Sequence, residues 1–443
     1  MQADGLQKQI VQWLEERRKL LLKASQLAGI PPSVEISRPV VTNFTETGFS
    51  SSQETVQVTP LVIPAFAFSL REKTAPSTED IQKSPADALH KAYGERCKVW
   101  TPFSKHNFER NPLEWISEAL LSRIELEYIR SLATLKTPNR SVAESLAKDA
   151  ICLIQSDTIN FVTALPLAGI KLSEESIESN NIRLRKISSN ELARIADLSA
   201  DQLWLYYEHK GVRPPFPRVV SERSVLEVRT TCSKTVQPQA GLYPKKVILA
   251  LALLGFELHG ESLASTWTEP GPSLTSGGQK FVLGRNGGTR DCTADHLRRA
   301  ERVARVIPDG AVSSPQNRKE VVLHRFMLGN AEENASDKLI DFVIAIEGFL
   351  LPPGKEGEYR FKFGLYGAWY LATDQTEREI LFKKLQEIYD MRSIIVHGSV
   401  PESEPSIREK AANARELAAK FLIKALEQGW PSHETLKQLA LGV

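Results

Sequence analysis

The last quarter of the chain is a series of amphipathic helical stretches separated by strong stop signals. Apolar residues recur there at three-and-four spacing, and Pro, Gly or a polar capping residue lies between one stretch and the next. Short loops place consecutive helices side by side, so this pattern predicts a helical bundle over residues 321–443. The four stretches are "NASDKLIDFVIAIEGFLL", "FKFGLYGAWYLAT", "LFKKLQEIYDMRSIIVHGS" and "SIREKAANARELAAKFLIKALEQ".

The third stretch carries a permanent positive charge inside its apolar stripe. Leu385, Ile388 and Arg392 follow one another at helical spacing, which places the guanidinium among residues expected to be buried. A buried charge is costly unless it is paired. We therefore expect Arg392 to contact a carboxylate, a polar group of a partner subunit or an anionic ligand. Asp341 and Glu347 of the first stretch are the candidate carboxylates.

His397 lies where this helix should end, directly before Gly398. Glycine there favours the left-handed conformation that terminates helices, and the last carbonyls of a helix favour an imidazolium. A histidine can give or take a proton near neutral pH, and an arginine can hold a phosphate through two hydrogen bonds. An alternative, from the residues alone, is that Arg392 forms a salt bridge inside the bundle and His397 only caps the helix.

The five-residue spacing of these two side chains also bears on the oligomeric state. Five residues of an ideal helix correspond to a rotation of about 140°, so one helix does not easily direct both groups at one point. Two copies of the helix that meet around a two-fold axis would bring two arginines and two histidines into one cleft. The spacing is therefore compatible with a composite site in a homodimer.

The segments "DKLIDFVIAIEGFLL", "FKFGLYGAWYLA" and "LQEIYDMRSIIVHG" together resemble the Apea-like branch of the HEPN domains. The resemblance covers about residues 321–428 and implies a four-helix bundle that forms homodimers. It also implies a metal-independent endoribonuclease with no cofactor, of the kind used in bacterial antiphage defence, toxin or RNA-processing systems. The expected fold class is α+β: a mixed α/β N-terminal region followed by an all-α HEPN bundle.

The same resemblance assigns roles to individual residues. Arg392 and His397 match the catalytic pair, and Ser393 matches the polar residue that follows the arginine. Asp341 and Glu347 match acidic positions with a supporting role. The implied reaction is attack of the ribose 2′-hydroxyl on the adjacent phosphate, which leaves a 2′,3′-cyclic phosphate. DNA lacks this hydroxyl and should not be cleaved.

RNA binding would need a local basic surface, because the predicted bundle has slightly more acidic than basic side chains. The main alternative function keeps the bundle but makes it a non-catalytic dimerisation and RNA- or nucleotide-binding module that regulates a partner. In the ribonuclease hypothesis, the N-terminal region senses a trigger, such as a phage product, or holds the nuclease inactive. The candidate RNA-binding residues are Lys383, Lys384, Arg360 and Lys362.

The rest of the chain mixes helical and extended patterns, and we divide it into two regions. Residues 1–112 contain a helix and a β-rich segment, and residues 113–320 form a mixed, mostly helical region with a Gly/Pro-rich connection. Helices are expected at Leu6 to Leu27, "SVAESLAKDAICLIQ", "YPKKVILALALLGFEL" and "DHLRRAERVARVIP", and residues 113–202 are expected to be mostly helical. Extended structure is expected at 34–70 and "PFPRVVSERSVLEVRTTC", and a mobile or hairpin-containing Gly/Pro-rich connection at 262–293.

Length, composition and sequence motifs limit the fold and the other functions that the chain could have. With 443 residues the chain should contain at least two cores, and its net charge of +2 gives no overall attraction to nucleic acid. The four cysteines lack C-x-x-C spacing, which favours reduced, buried thiols over a metal site. Residues 1–320 contain no H-E-x-x-H, G-x-S-x-G or phosphate-binding glycine motif.

Membrane insertion and secretion are not expected either. The longest apolar run, Val247 to Phe256, is about half the length that a bilayer span needs. Charged residues among the first thirty interrupt any signal-peptide core. The sequence therefore predicts a cytoplasmic protein without a membrane partner.

Overall fold

A computed structural model gives the fold of most of the chain. The structure describes residues 3–27, 29, 31–45, 48–58, 120–121, 124–125, 127–129, 131–132, 134–186, 224–233, 242–259, 263–269, 279–280, 288–352, 358–398 and 403–442. It also describes the isolated positions 85, 88 and 283.

The N-terminal core is helical. The predicted opening helix is confirmed as α1 (Ala3–Leu27), and Gly29 follows it in the left-handed region at φ 68°. α1 packs against α2 (Arg140–Gln155), the helix predicted from "SVAESLAKDAICLIQ". Apolar side chains of α1, α2 and the described residues between 120 and 135 form one buried cluster. Arg18 of α1 also donates to the carbonyl of Leu135 at 2.7 Å.

A long antiparallel hairpin follows α1. It consists of β1 (Val34–Thr45) and β2 (Gly48–Val58), with a register shift between Val41 and Asn43. The extended structure predicted for residues 34–70 is therefore confirmed as far as residue 58. Residues 59–70 lie outside the described residues.

A six-stranded antiparallel sheet occupies the middle of the chain, and part of it lies within residues 113–202, where the sequence predicted mostly helix. That prediction is wrong for residues 158–186: alternate side chains point to opposite faces there, as the burial of Ile182 and Leu184 and the exposure of Arg183 show. The extended segment predicted around residues 215–232 is confirmed from residue 224 onward, and residues 215–223 lie outside the described residues. An antiparallel pair of short strands at 263–269 and 279–280 confirms a hairpin in the Gly/Pro-rich connection. The strands are, in spatial order, β5 (Ser176–Glu178), β6 (Ile182–Lys186), β7 (Ser224–Ser233), β3 (Thr158–Leu167), β8 (Leu263–Glu269) and β9 (Gln279–Lys280).

Two helices join this sheet to the end of the chain. α3 (Leu242–Leu253) is apolar and buried on nearly all sides, as predicted, and its partner is α4 (Ala294–Val306). A short parallel pair, β4 (Ile170–Lys171) and β10 (Arg290–Asp291), lies nearby. Thr293 caps α4 in a capping box with His296.

The C-terminal part is helical, so the broad α+β class is confirmed. Each of the four predicted helical stretches forms a helix, with one further helix before them and one after. That these helices form a HEPN bundle stays a prediction. They are α5 (Arg318–Ala331), α6 (Ala335–Leu350), α7 (Tyr359–Leu371), α8 (Gln375–Val396), α9 (Glu404–Gln428) and α10 (His433–Leu441).

A second buried cluster, here called the C-terminal core, runs from Leu165 in the sheet to Leu436 in α10. It includes all the C-terminal helices together with α3, α4 and part of the sheet. The expectation of at least two cores is therefore confirmed. The boundary predicted at residue 320 stays a prediction, and buried side chains on both sides of it pack in this one cluster.

Two smaller expectations have definite outcomes. Cys292 is buried as predicted. Cys152 is exposed on α2, so the prediction that this thiol is buried is wrong. Burial raises the pKa of Cys292 to about 12. In the described part of the chain, no helix is both long and apolar enough to cross a membrane.

Candidate functional site

α8 carries most of the residues singled out from the sequence, and its packing fixes their directions. Asp374 caps the helix by accepting a hydrogen bond from the backbone N–H of Glu377 at 2.9 Å. The buried positions of α8 are Leu385, Ile388 and Met391. Met391 therefore takes the fully buried position for which spacing suggested Arg392. Arg392 lies beside it, at the edge of the apolar face.

Arg392 faces α6, as predicted, but the contact is loose. One of its terminal nitrogens lies 3.6 Å from Oε2 of Glu347, which is an ion-pair distance and too long for a hydrogen bond. The side chains are 24% and 21% exposed, so solvent reaches both. Nε of Arg392 is buried and has no hydrogen-bond partner among the described residues. The guanidinium is thus only partly satisfied.

The other candidate carboxylate, Asp341, lies elsewhere. It is buried on α6 and accepts a hydrogen bond of 2.9 Å from Arg325 of α5. Asp341 and Glu347 are six residues apart, a rotation of about 240° on a helix, which explains why they face different neighbours. Of the two acidic residues, the structure brings Glu347 to Arg392.

The electrostatics of the pair are dominated by burial. Desolvation raises the pKa of Glu347 above its ordinary value, and the charge of Arg392 acts in the opposite direction. Burial also raises the pKa of Tyr389, with Glu347 raising it further and Arg392 lowering it. A phenol and a carboxylate therefore lie within electrostatic reach of the same guanidinium.

The end of α8 has the geometry that the sequence predicted. His397 is the C-terminal cap, and its backbone N–H donates to the carbonyl of Ser393 at 3.0 Å. Gly398 follows at φ 69°, in the left-handed region, and donates to the carbonyl of Ile395. The side chain of His397 is exposed and that of Ser393 is half-buried. His397 is thus held by its backbone at the helix end with an accessible imidazole.

The candidate RNA-binding residues differ in how much of their charge is already used. Arg360 of α7 makes two hydrogen bonds to Asp390, at 2.6 and 2.7 Å. Lys384 is half-buried and helps to lower the pKa of Glu416, to which Lys420 is hydrogen-bonded. Lys362, on α7, is also half-buried, whereas Lys383 is exposed on α8. Among the four, Lys383 presents the most accessible charge to solvent.

Sequence reasoning missed two residues that shape this site. Tyr389 precedes Arg392 by three residues, so helical spacing alone could have placed it on the same side. Arg318 of α5 donates to the carbonyls of Gly348 and Leu351 and so holds the end of α6 just after Glu347. Nothing in the local sequence indicates the role of Arg318, because its acceptors are backbone atoms thirty residues away.

Within the described residues, no group of three or more His, Cys, Asp or Glu side chains is arranged to hold a metal ion. No protein-family model matches the chain, and neither do the curated proteins or the solved structures. The site therefore has to be interpreted from its own geometry.

Proposed function

We propose that the C-terminal helices act as a metal-independent endoribonuclease of the HEPN type, with Arg392 and His397 as the catalytic pair. The observation that carries the proposal is the incomplete bonding of Arg392: among the described residues its buried Nε has no partner and its one ion pair is 3.6 Å long. A guanidinium in this condition can still make the two-pronged hydrogen bonds that a phosphate accepts. The exposed imidazole of His397 supplies the proton transfer.

The reaction follows from the chemistry of RNA. The ribose 2′-hydroxyl loses its proton and attacks the neighbouring phosphorus, and the 5′-oxygen leaves with a proton, giving a 2′,3′-cyclic phosphate. Arg392 stabilises the negative charge that accumulates on the pentavalent phosphorus, and His397 moves a proton. Because five helical residues separate the two groups by about 140°, we propose a homodimer in which two copies of α8 complete the cleft.

The biological setting belongs to the same proposal. The resemblance of the C-terminal sequence to HEPN domains suggests a role in bacterial antiphage defence or as a toxin, with the N-terminal region sensing a phage-derived trigger or restraining the nuclease. RNA would approach along the basic side chains of α7 and α8, where Lys383 is exposed and Arg360 is exposed but paired with Asp390.

The test uses the full chain and mixed RNA in the presence of EDTA. Wild type should produce fragments with 2′,3′-cyclic phosphate ends and leave DNA intact. Arg392→Ala and His397→Ala should each lower the rate by at least about 100-fold, the usual contribution of such groups. Arg408→Ala is the matched control, because Arg408 is an exposed α9 residue paired only one turn away with Glu404. Equal activity in the control and in Arg392→Ala would refute the assignment.

A second candidate has one observation in its favour. Arg392 already faces Glu347, so its charge can have a purely structural role, and the helices would then form a non-catalytic dimerisation and RNA- or nucleotide-binding module. This candidate predicts dimers and RNA binding without cleavage, with or without a trigger. Sedimentation velocity and filter binding on the same full-length preparations distinguish it from the nuclease.

A further inference from the structure

The ion pair between Arg392 and Glu347 is longer than most arginine–carboxylate contacts that involve the described C-terminal helices. Arg360 meets Asp390 at 2.6 and 2.7 Å, Arg299 meets Glu427 at 2.7 and 3.0 Å, and Arg325 meets Asp341 at 2.9 Å. Each of those contacts is a true hydrogen bond. The 3.6 Å between Arg392 and Glu347 exceeds the longest of these distances by more than half an ångström.

Long contacts elsewhere in the described chain have a different explanation. Arg415 lies 3.6 Å from Glu257, but it also donates hydrogen bonds of 2.7 Å to Asn330 and 2.8 Å to the carbonyl of Phe256. That arginine is satisfied by other atoms. For Arg392, by contrast, Nε is buried without an acceptor, and the contact with Glu347 is the one ion pair that the described residues provide.

The carboxylate is also poorly matched to its environment. Glu347 lies near the end of α6, where helix carbonyls carry partial negative charge, and that position disfavours a carboxylate. Both side chains reach solvent, so an incoming anion has access to the guanidinium. The pair thus holds two opposite charges close together without the hydrogen bonds that would make it strong.

We infer that Glu347 is an internal competitor for Arg392, occupying the guanidinium until the phosphate of a substrate displaces it. This inference rests on the proposed function for the identity of the substrate. Glu347 then acts against anion binding, which is the opposite of a supporting role. The charge of Glu347 lowers the affinity of the site for anions, so only ligands that make enough further contacts with the protein bind. When phosphate binds, Arg392 loses its long ion pair with Glu347 and makes two hydrogen bonds to the phosphate instead.

The experiment measures sulfate binding to the full chain by isothermal titration calorimetry at constant ionic strength. Sulfate carries the same charge as the pH changes, so its binding does not depend on its own protonation. Glu347→Gln should bind sulfate about fivefold more tightly than wild type, as expected for removal of a partly exposed competing charge. Arg392→Gln should remove the binding. Glu379→Gln takes an equal charge from α8 without contacting Arg392 and should leave the affinity unchanged.

Unchanged or weaker binding by Glu347→Gln would overturn the inference, as would equal tightening in Glu379→Gln. If Glu347→Gln does not fold, a crystal structure of the wild-type chain with sulfate decides the question. Sulfate on Arg392 should separate the guanidinium from Glu347 to more than 4 Å, and sulfate bound with this contact intact contradicts competition. Tighter sulfate binding without any RNA cleavage would support the inference and count against the nuclease, so the two can fail separately.

Discussion

The junction of α9 with α3 and the junction of α8 with α6 each contain a partly buried arginine, and the two arginines are held in different ways. Arg415, 15% exposed, donates to Asn330 and to the carbonyls of Phe256 and Ala252, and Glu257 lies 3.6 Å away. Arg392 is 24% exposed, and the part of the chain that the structure describes gives it one ion pair and no acceptor for its buried Nε. Burial alone does not distinguish the two; the number of acceptors does.

The comparison teaches how to separate a structural arginine from a ligand-binding one. Burial lowers the pKa of Arg415, and this cost is offset by oxygen atoms of Asn330 and of residues 252–257. No comparable set of oxygens surrounds Arg392 in the described residues. We therefore expect Arg415 to contribute to stability and Arg392 to contribute to binding.

The largest expected effect is a difference in stability between two matched substitutions. Arg415→Met should lower the free energy of unfolding by about 3 kcal/mol, because several buried acceptors lose their donor. Arg392→Met should change it by less than about 0.5 kcal/mol, because little hydrogen bonding is lost. Urea denaturation of the full chain measures both. If Arg392→Met proves as destabilising as Arg415→Met, the distinction between the two arginines is wrong.

A smaller effect is expected when the partner of each arginine is changed. Asn330 accepts from Arg415 and donates to the carbonyl of Phe326 at 2.7 Å, so Asn330→Ala loses two hydrogen bonds and should cost about 1.5 kcal/mol. Glu347→Gln should cost almost nothing at neutral pH. Thermal unfolding followed by circular dichroism compares them, and equal losses would show that the Arg392 pair is as strong as the Arg415 network.

The smallest expected effect is a pH dependence. The pKa of Glu347 is raised in the folded state, so the stability linked to its neutral form is present below about pH 4.3, the ordinary pKa, and is lost as the pH rises through the raised value. Glu347→Gln cannot ionise, and its stability relative to wild type should therefore increase as the pH rises from about 4, by less than about 1 kcal/mol, as urea denaturation at a series of pH values measures.

Glu416→Gln is the control for that measurement, because its sign is reversed. The hydrogen bond from Lys420 holds the pKa of Glu416 below its ordinary value, so its stabilising contribution is present above that ordinary value and disappears as the pH falls. This variant should therefore lose stability relative to wild type as the pH rises. Parallel pH profiles for the two variants would contradict the assigned environments.

Local signals predicted part of this molecule. The cap at Asn334 and the left-handed Gly398 depend on neighbouring residues of the chain, where the local sequence determines the conformation, and both predictions are confirmed. Of the two carboxylates offered as partners for Arg392, Glu347 is the one in contact. The ribonuclease chemistry stays a prediction, because it depends on the ligand and on a partner subunit.

The misses share one physical cause, which is contact between distant segments. Arg415 lies in "NARELAAK", which reads as an exposed turn of an amphipathic helix, yet its acceptors lie more than eighty residues away in the chain. Residues 158–186 also looked compatible with helix until pairing with β7 made them strands. Pairing with neighbouring strands outweighed the local helical preference of these residues, as is common for short β segments.

The C-terminal core has a practical consequence for anyone who wishes to isolate the candidate nuclease. A truncation that begins at Val321 would delete Arg318, which holds the end of α6, and also α3 and the residues after it, whose Ala252 and Phe256 carbonyls accept hydrogen bonds from Arg415. It would also uncover apolar side chains that α3 and α4 now cover. Truncated versions should therefore keep the sheet, α3 and α4 together with the C-terminal helices. For the same reason, displacement of α3 or of the residues that follow it must strain or break the Arg415 hydrogen bonds, so α9 is mechanically coupled to this segment.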